Sequence, residues 1–268
     1  MRVELDGKAL LVTGSTQGVG AEVARLAVEA GARGVLICGR NRARGTAVAE
    51  ALRAAGAEVR FEFADLADPE APARLVAAAL EGFGRVDLLV NAAGVTDRAG
   101  WTDATAEDWA HIFAVNARAP FFLMQAVLAD MIARGAGGAI VNILSINAHC
   151  GAPELAVYSA SKGALATLTK NAAHAHLADA IRVNGIMMGW ADTPGEQVMQ
   201  GEILGKGPDW AARAAAAMPL GRMLTATEVA RQVIWLLSPQ AGMQTGTLID
   251  LDQAVVGGPV LRAIAPSP

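Results

Sequence analysis

Tyr158 and Lys162 stand four residues apart; Tyr158 is the single tyrosine of the chain and Lys162 one of four lysines. On a helix that spacing puts the phenol and the ammonium on one face, one turn apart. A nearby ammonium favours the phenolate and lowers a phenol pKa that is ordinarily about 10. Tyr158 is thereby a candidate to give and take a proton at neutral pH. Ser145 lies upstream of it, where a hydroxyl could hold the oxygen whose proton moves. Tyr-x-x-x-Lys is a short pattern that chance also produces, so the neighbouring segments decide its meaning.

Those segments begin near the N-terminus. Lys8 to Thr13 is a short apolar run, which predicts a buried strand. It leads into Gly14-Ser-Thr-Gln-Gly18-Val-Gly20, and Ala21 to Ala30 then reads as an amphipathic helix closing at Gly31. Strand, glycine turn and helix together let the backbone approach a pyrophosphate, whose charge rests at the helix N-terminus. The spacing is G-x-x-x-G-x-G rather than G-x-G-x-x-G.

Strand and helix signals alternate along the rest of the chain. Strands are predicted at Gly34 to Cys38, Glu58 to Phe63, Val86 to Val90, Ala139 to Leu144, Ile181 to Ile186 and Thr247 to Leu251. Helices are predicted from Asn41 to Ala55, from Asp68-Pro69 onward, from the capping-box-like Thr105-x-x-Asp108 toward Ala133, from Tyr158 to Ala178, and from Thr225-x-x-Glu228 to Leu237. This alternation predicts the α/β class: a single Rossmann-like, doubly wound parallel sheet flanked by helices on both faces. One domain is expected over residues 1–268, with a substrate-loop region at about 188–220 and an apolar C-terminal tail at about 253–268.

Composition narrows the partners. Apolar residues make up 53% of 268, charged residues 18%, and the formal net charge is −4. Basic residues are scattered, so neither a nucleic-acid nor a membrane-surface partner is expected. Cys38 and Cys150 are too few for a disulfide framework. The first seven residues lack the apolar core of a leader, and the longest uncharged stretch, Gly135 to Pro153, is broken by Asn142, Asn147 and His149. A cytoplasmic protein with no membrane span is the expectation. No cluster of residues has metal-ligand spacing.

Together these motifs resemble the short-chain dehydrogenase/reductase family over roughly Leu5 to Gly257. Thr13-Gly-x-x-x-Gly-x-Gly20 is similar to its cofactor turn, and Asn91-Ala-Ala-Gly94 to the signature after its fourth strand. Asn116, Ser145, Tyr158 and Lys162 match its catalytic tetrad in order and approximate spacing. The resemblance implies that Tyr158 moves the proton and Ser145 orients the substrate oxygen. It implies that Lys162 lowers the phenol pKa and meets the nicotinamide ribose, and that Asn116 holds a water linking Lys162 to solvent. It also implies a cofactor site at Gly14, Thr16, Gln17, Gly18, Val19, Gly20, Arg40, Asp65, Leu66, Asn91, Ala92, Gly94, Gly189 and Thr193, with Tyr158 and Lys162 shared. Two motifs depart from the family pattern. Met188-Gly189 replaces the usual Pro-Gly, and Asp250-Leu-Asp252-Gln-Ala stands where Asp-Gly-Gly is common.

The second strand ends at Gly39 with Arg40 and Arg42 behind it, so no carboxylate repels a ribose 2′-phosphate and Arg40 can pair with one. NADP is the expected cofactor, with NAD the alternative. For the substrate, Asn147, His149, Glu154 and Trp190 are the candidate contacts, with Asp97, Arg98 and Trp101 nearby; His149 could equally be a solvated loop residue. Several polar side chains suit a sugar, polyol or small hydroxy-ketone, because unpaired buried polar groups are costly. Hydride transfer between nicotinamide and a secondary alcohol or ketone is the expected activity. A 3-oxoacyl carrier-protein reductase is the alternative, with only Arg118 and Arg134 to offer an acidic carrier. A non-catalytic dinucleotide sensor is the alternative of another class. The family resemblance further implies a homotetramer. Apolar Phe113, Phe121, Phe122, Met124 and Met131, with the apolar tail, supply surface for it.

Overall fold

The computed structural model describes residues 3–256 and carries the alternation through. The strands are β1 (Ala9–Val12), β2 (Gly34–Gly39), β3 (Glu58–Phe63), β4 (Leu88–Asn91), β5 (Gly138–Ile143), β6 (Ile181–Met188), β7 (Ala191–Asp192), β8 (Leu224–Thr225) and β9 (Leu248–Leu251). The helices are α1 (Gly18–Glu29), α2 (Arg42–Ala54), α3 (Ala71–Phe83), α4 (Ala106–Phe113), α5 (Ala119–Arg134), α6 (Asn147–Cys150), α7 (Ala156–Ala175), α8 (Pro194–Gln197), α9 (Trp210–Ala216) and α10 (Ala226–Leu237). Seven strands form one parallel sheet in the order β3-β2-β1-β4-β5-β6-β9.

The central strands are mostly apolar because both faces are covered, with Asn91 and Asn142 toward their carboxyl ends among the polar exceptions. On one face α1, α2 and α10 bring Val23, Ala27, Leu52, Val229 and Val233 against Leu10, Val12, Val35 and Ile37. On the other, α3, α5 and α7 bring Leu75, Leu123, Val127 and Leu165 against Leu11, Leu36, Leu89 and Ile140. The strand order runs outward in both directions from β1 and β4. The chain leaves these two neighbours toward opposite faces, which opens a crevice at their carboxyl ends.

Both capping boxes form: Thr105 with Asp108 at α4, and Thr225 with Glu228 at α10. Two details differ from the sequence reading. Asp68-Pro69 makes a turn ahead of α3 rather than its first turn, since Asp68 Oδ1 accepts from the Glu70 amide at 2.9 Å and the helix begins at Ala71. The long predicted helix is interrupted by a π-turn at Ala114–Arg118, which separates α4 from α5 and carries Asn116. The stretch Ala106–Arg134 is long and apolar enough by composition to cross a membrane, yet 61% of its most apolar window is buried within the fold. Leu123, Val127 and Met131 spend that apolarity on the sheet.

Candidate active site

The crevice is a cleft of about 950 Å³ running from the β1–α1 turn past α7 to the segment after β6. Its floor is held by buried polar contacts between strand ends. Thr13 Oγ1 accepts from the amides of Ala92 and Ala93, each at 3.1 Å, which locks the end of β1 to the turn after β4. Asn91 donates to Asn142 at 2.8 Å, and Asn142 donates to Thr169 of α7 at 2.9 Å. These bonds fix the mouths of three strands beneath the helix that carries Tyr158.

The glycine turn fits a dinucleotide pyrophosphate. Gly14 has φ +61, and a Cβ there would lie 2.7 Å from Ala93 Cα. A Cβ at Gly20 would lie 2.5 Å from the Gly14 carbonyl oxygen. No side chain fits at either place, so the backbone alone lines the start of α1, whose amides favour an anion. Gln17 Oε1 lines the cleft buried and without a partner. Gly14, Thr16, Gln17, Gly18, Val19, Gly20, Arg40, Asp65, Leu66, Ala92, Gly94, Gly189 and Thr193 all line the cleft. Asn91 does not; it is 1% exposed, its Nδ2 donates to Asn142, and its Oδ1 is buried without a partner among the described residues. Arg44 also lines this end, beside Arg40. Nothing in the sequence singled it out, because its approach depends on where α2 starts.

Tyr158, Lys162 and Ser145 converge on the same wall. Tyr158 and Lys162 lie one turn apart on α7, with Lys162 Nζ 5.9 Å from the centre of the Tyr158 ring. Ser145 follows β5, its hydroxyl accepting from the Asn147 amide at 3.2 Å. Asn116 is placed by the π-turn and is fully buried. Its carboxamide accepts from the Val95 amide at 2.9 Å, and donates to the Val95 carbonyl at 3.0 Å and to Ser161 Oγ at 3.1 Å. Both donors of the side chain are thereby spent, which leaves a water only acceptors at Asn116. Ser161, which the sequence reading missed, donates to the Tyr158 carbonyl at 2.7 Å. It therefore splices the π-turn to α7 beside the reactive pair.

The electrostatics correct one expectation. Lys162 was expected to lower the phenol pKa, but burial raises Tyr158 above its ordinary 10; the Ser145 hydroxyl and Arg98 pull down and Glu196 pushes up. The same burial depresses Lys162 to about 8, which disfavours the ammonium that would have done the lowering. Lys162 Nζ instead donates to the Ile143 carbonyl at 2.8 Å.

On the substrate side Asn147, Glu154 and Trp190 line the cleft, together with Asp97 and Arg98. His149 does not, because its Nε2 is held at 2.9 Å by Asp250 Oδ1 at the end of β9, outside the cleft. Trp101 is 87% exposed and forms no wall. Trp190 stacks on Trp210, ring centres 5.7 Å apart, and carries Lys206 over its face. Glu196, Met199, Gln200 and Lys206 complete this side, and no spacing rule pointed to them.

The chain matches the family model described as short chain dehydrogenase over residues 8–202. It is 35% identical over 246 residues to a sorbitol dehydrogenase of Cereibacter sphaeroides, covering 89% of this chain and 93% of the relative. It is 31% identical over 252 residues to a 3-oxoacyl-acyl-carrier-protein reductase of Chlamydia pneumoniae, covering 94% and 98%. Among solved structures it is similar to the L-sorbose reductase of Gluconobacter frateurii in complex with NADPH and L-sorbose. That likeness has a TM-score of 0.88 and 28% identity over 94% of this chain and 98% of the other.

Proposed function

This chain belongs to the short-chain dehydrogenase family, and on that premise we propose that it moves a hydride between NADP and a hydroxyl-rich secondary alcohol or its ketone. Membership makes it an oxidoreductase that uses a nicotinamide dinucleotide. The observation that carries the reading is the convergence of Tyr158, Lys162 and Ser145 on the cleft that the Gly14–Gly20 turn opens. When bound, the dinucleotide would supply the hydride chemistry. The Tyr158 hydroxyl transfers the proton of the reacting oxygen, and Ser145 holds that oxygen by a hydrogen bond. Lys162, whose Nζ donates to the Ile143 carbonyl, would hold the ribose of the cofactor. The deep placement of all three keeps water from competing; Tyr158, Lys162 and Ser145 are 7%, 3% and 5% exposed.

NADP is favoured by Arg40 and Arg44, which line the adenosine end of the cleft where Gly39 offers no carboxylate. A hydroxylated substrate is favoured by the polar far wall, and the names of the sorbitol and sorbose relatives agree with it. The carrier-protein reading has the Chlamydia relative in its favour, but both arginines that could greet an acidic carrier are engaged internally. Arg118 donates to the Ala67 carbonyl at 2.5 Å, and Arg134 binds Asp130 and the Val86 carbonyl.

The test is a panel of polyols, ketoses and acyl thioesters with NADP(H) and NAD(H), repeated on Arg40→Asp. Polyol or ketose turnover with NADP(H) is expected, and a shift toward NAD(H) of about tenfold or more in the variant. A wild-type preference for NAD(H), or turnover of thioesters alone, overturns the reading.

We propose a homotetramer as well, supported by Trp109, Phe121 and Phe122, which are 51%, 40% and 42% exposed on α4 and α5. Met124 and Met131 drop out of that argument, since both are buried in this chain's own core. The apolar tail from residue 257 onward lies outside the described residues. Light scattering that gives a mass near 27.5 kDa at micromolar concentration rules the tetramer out.

A further inference from the structure

The far wall of the cleft contains a pair of acceptors with no donor of their own. Glu196 Oε1 already accepts two hydrogen bonds, from Trp190 Nε1 and Gln200 Nε2, both at 2.7 Å. Its other oxygen, Oε2, accepts from nothing among the described residues. Gln200 is 2% exposed, and with its Nε2 committed to Glu196 its Oε1 is left buried and unpartnered. The amide orientation follows from chemistry, because a carboxylate can only accept and so must face the NH₂ group. Both residues line the cleft, and Glu196 is close enough to Tyr158 for its charge to act on the phenol.

We propose that Glu196 Oε2 and Gln200 Oε1 form an acceptor pair that selects substrates by hydroxyl groups beyond the reacting carbon. The inference rests on the secondary-alcohol reading above and names the subsite that would enforce it. Gln200 Oε1 is the buried member of the pair and Glu196 is half-buried; a buried acceptor without a donor is expensive, and a substrate hydroxyl relieves that expense only if it can donate. A ketone, thioester or alkyl group at this place leaves both acceptors bare. A carboxylate or phosphate adds repulsion from Glu196. Sites built to meet a hydroxyl discriminate strongly against analogues that lack it, whereas apolar pockets discriminate weakly. Trp190 stiffens the pair: its indole stacks on Trp210, and its N–H fixes the rotamer of Glu196.

The experiment compares hexitols with 2-hexanol, using NADP as oxidant, in the wild type, Gln200→Met and Glu196→Gln. Gln200→Met keeps the length of the side chain and deletes the buried acceptor. Glu196→Gln keeps the acceptor for Trp190 and Gln200 but turns the free oxygen into a donor. The wild type is expected to favour the hexitol, and each variant to reduce the ratio of kcat/KM for hexitol over 2-hexanol by at least about tenfold. A ratio that stays within about twofold in both variants, each folded by circular dichroism, overturns the acceptor pair while leaving the alcohol dehydrogenase reading intact. Should Gln200→Met not fold, Glu196→Gln decides alone. A wild type that turns over thioesters but neither alcohol sinks the functional reading, and the inference with it.

Discussion

The two ends of the cleft are built by different means. The cofactor end is made of strand ends and backbone, locked by buried bonds such as Thr13 to the Ala92 and Ala93 amides and Lys162 to the Ile143 carbonyl. The substrate end, after β6, is made of short pieces: the two-residue strands β7 and β8, the single turn α8, a π-turn at Val198–Ile203 and the helix α9. Side-chain pairs hold it, many of them partly open to water. Gln253, just past β9, accepts from the Leu220 amide at 2.8 Å and donates to the Arg222 carbonyl at 2.6 Å. Glu196 gathers Trp190 and Gln200. The lesson is a division of labour. Hydride and proton transfer need groups held to fractions of an ångström, which a covered parallel sheet supplies. Substrate choice needs a surface that can be rebuilt without disturbing that frame, which loops supply.

The sharpest contrast comes from the reacting group. Tyr158→Phe should lower kcat by about 10²–10⁴-fold with NADPH affinity kept, as fluorescence titration would show. Retention of more than about a tenth of kcat would mean that the proton leaves by another route. Next in size is a pair of clamps, one from each end of the cleft. Thr13→Val removes, from a side chain that is 1% exposed, the acceptor of the half-buried Ala92 and Ala93 amides, so a loss of about 2 kcal/mol is expected in urea unfolding. Gln253→Ala breaks the bonds to the Leu220 amide and the Arg222 carbonyl, which water can replace, and a long one to Met218 Sδ; it should cost under about 1 kcal/mol and show mainly as a raised KM for substrate. Equal destabilisation by the two would dissolve the comparison.

The last effect expected is one of pH. Burial holds Lys162 at about 8 against an ordinary 10.5, so between those values the folded state binds fewer protons than the unfolded chain. Stability from this group therefore rises with pH across that window and is lost as pH falls through 8. Tyr158, raised above 10, gives stability that is present below 10 and lost only above it, and Cys38, raised by burial from 9 to about 12, loses its share as pH rises above 9; both are common to the wild type and Lys162→Met and cancel in their difference. The stability advantage of Lys162→Met over the wild type should shrink steadily from pH 8 to pH 10. A constant difference over that range would show that the ammonium carries no burial penalty.

The elements were legible where local chemistry repeats. Apolar runs, the glycine turn, and the boxes at Thr105 and Thr225 act over a few residues, and the strands and helices they announce are present. The π-turn at Ala114–Arg118 was not legible, since its sequence continues the helical pattern on both sides. Its partners, Val95 and Ser161, lie 21 and 45 residues from Asn116. The place of His149 was open in the sequence for the same reason: Asp250, which holds it outside the cleft, is 101 residues away.

By itself, then, the sequence determined the α/β class, the glycine cradle and the Tyr158–Lys162 pair, because each rests on periodicity or spacing within one or two elements. The tertiary structure alone decided the sign of the Tyr158 shift, the engagement of Asn116, the removal of His149 and the acceptors at Glu196 and Gln200. Those depend on burial and on partners from distant segments, and both exist only once the sheet has brought the ends of its strands together.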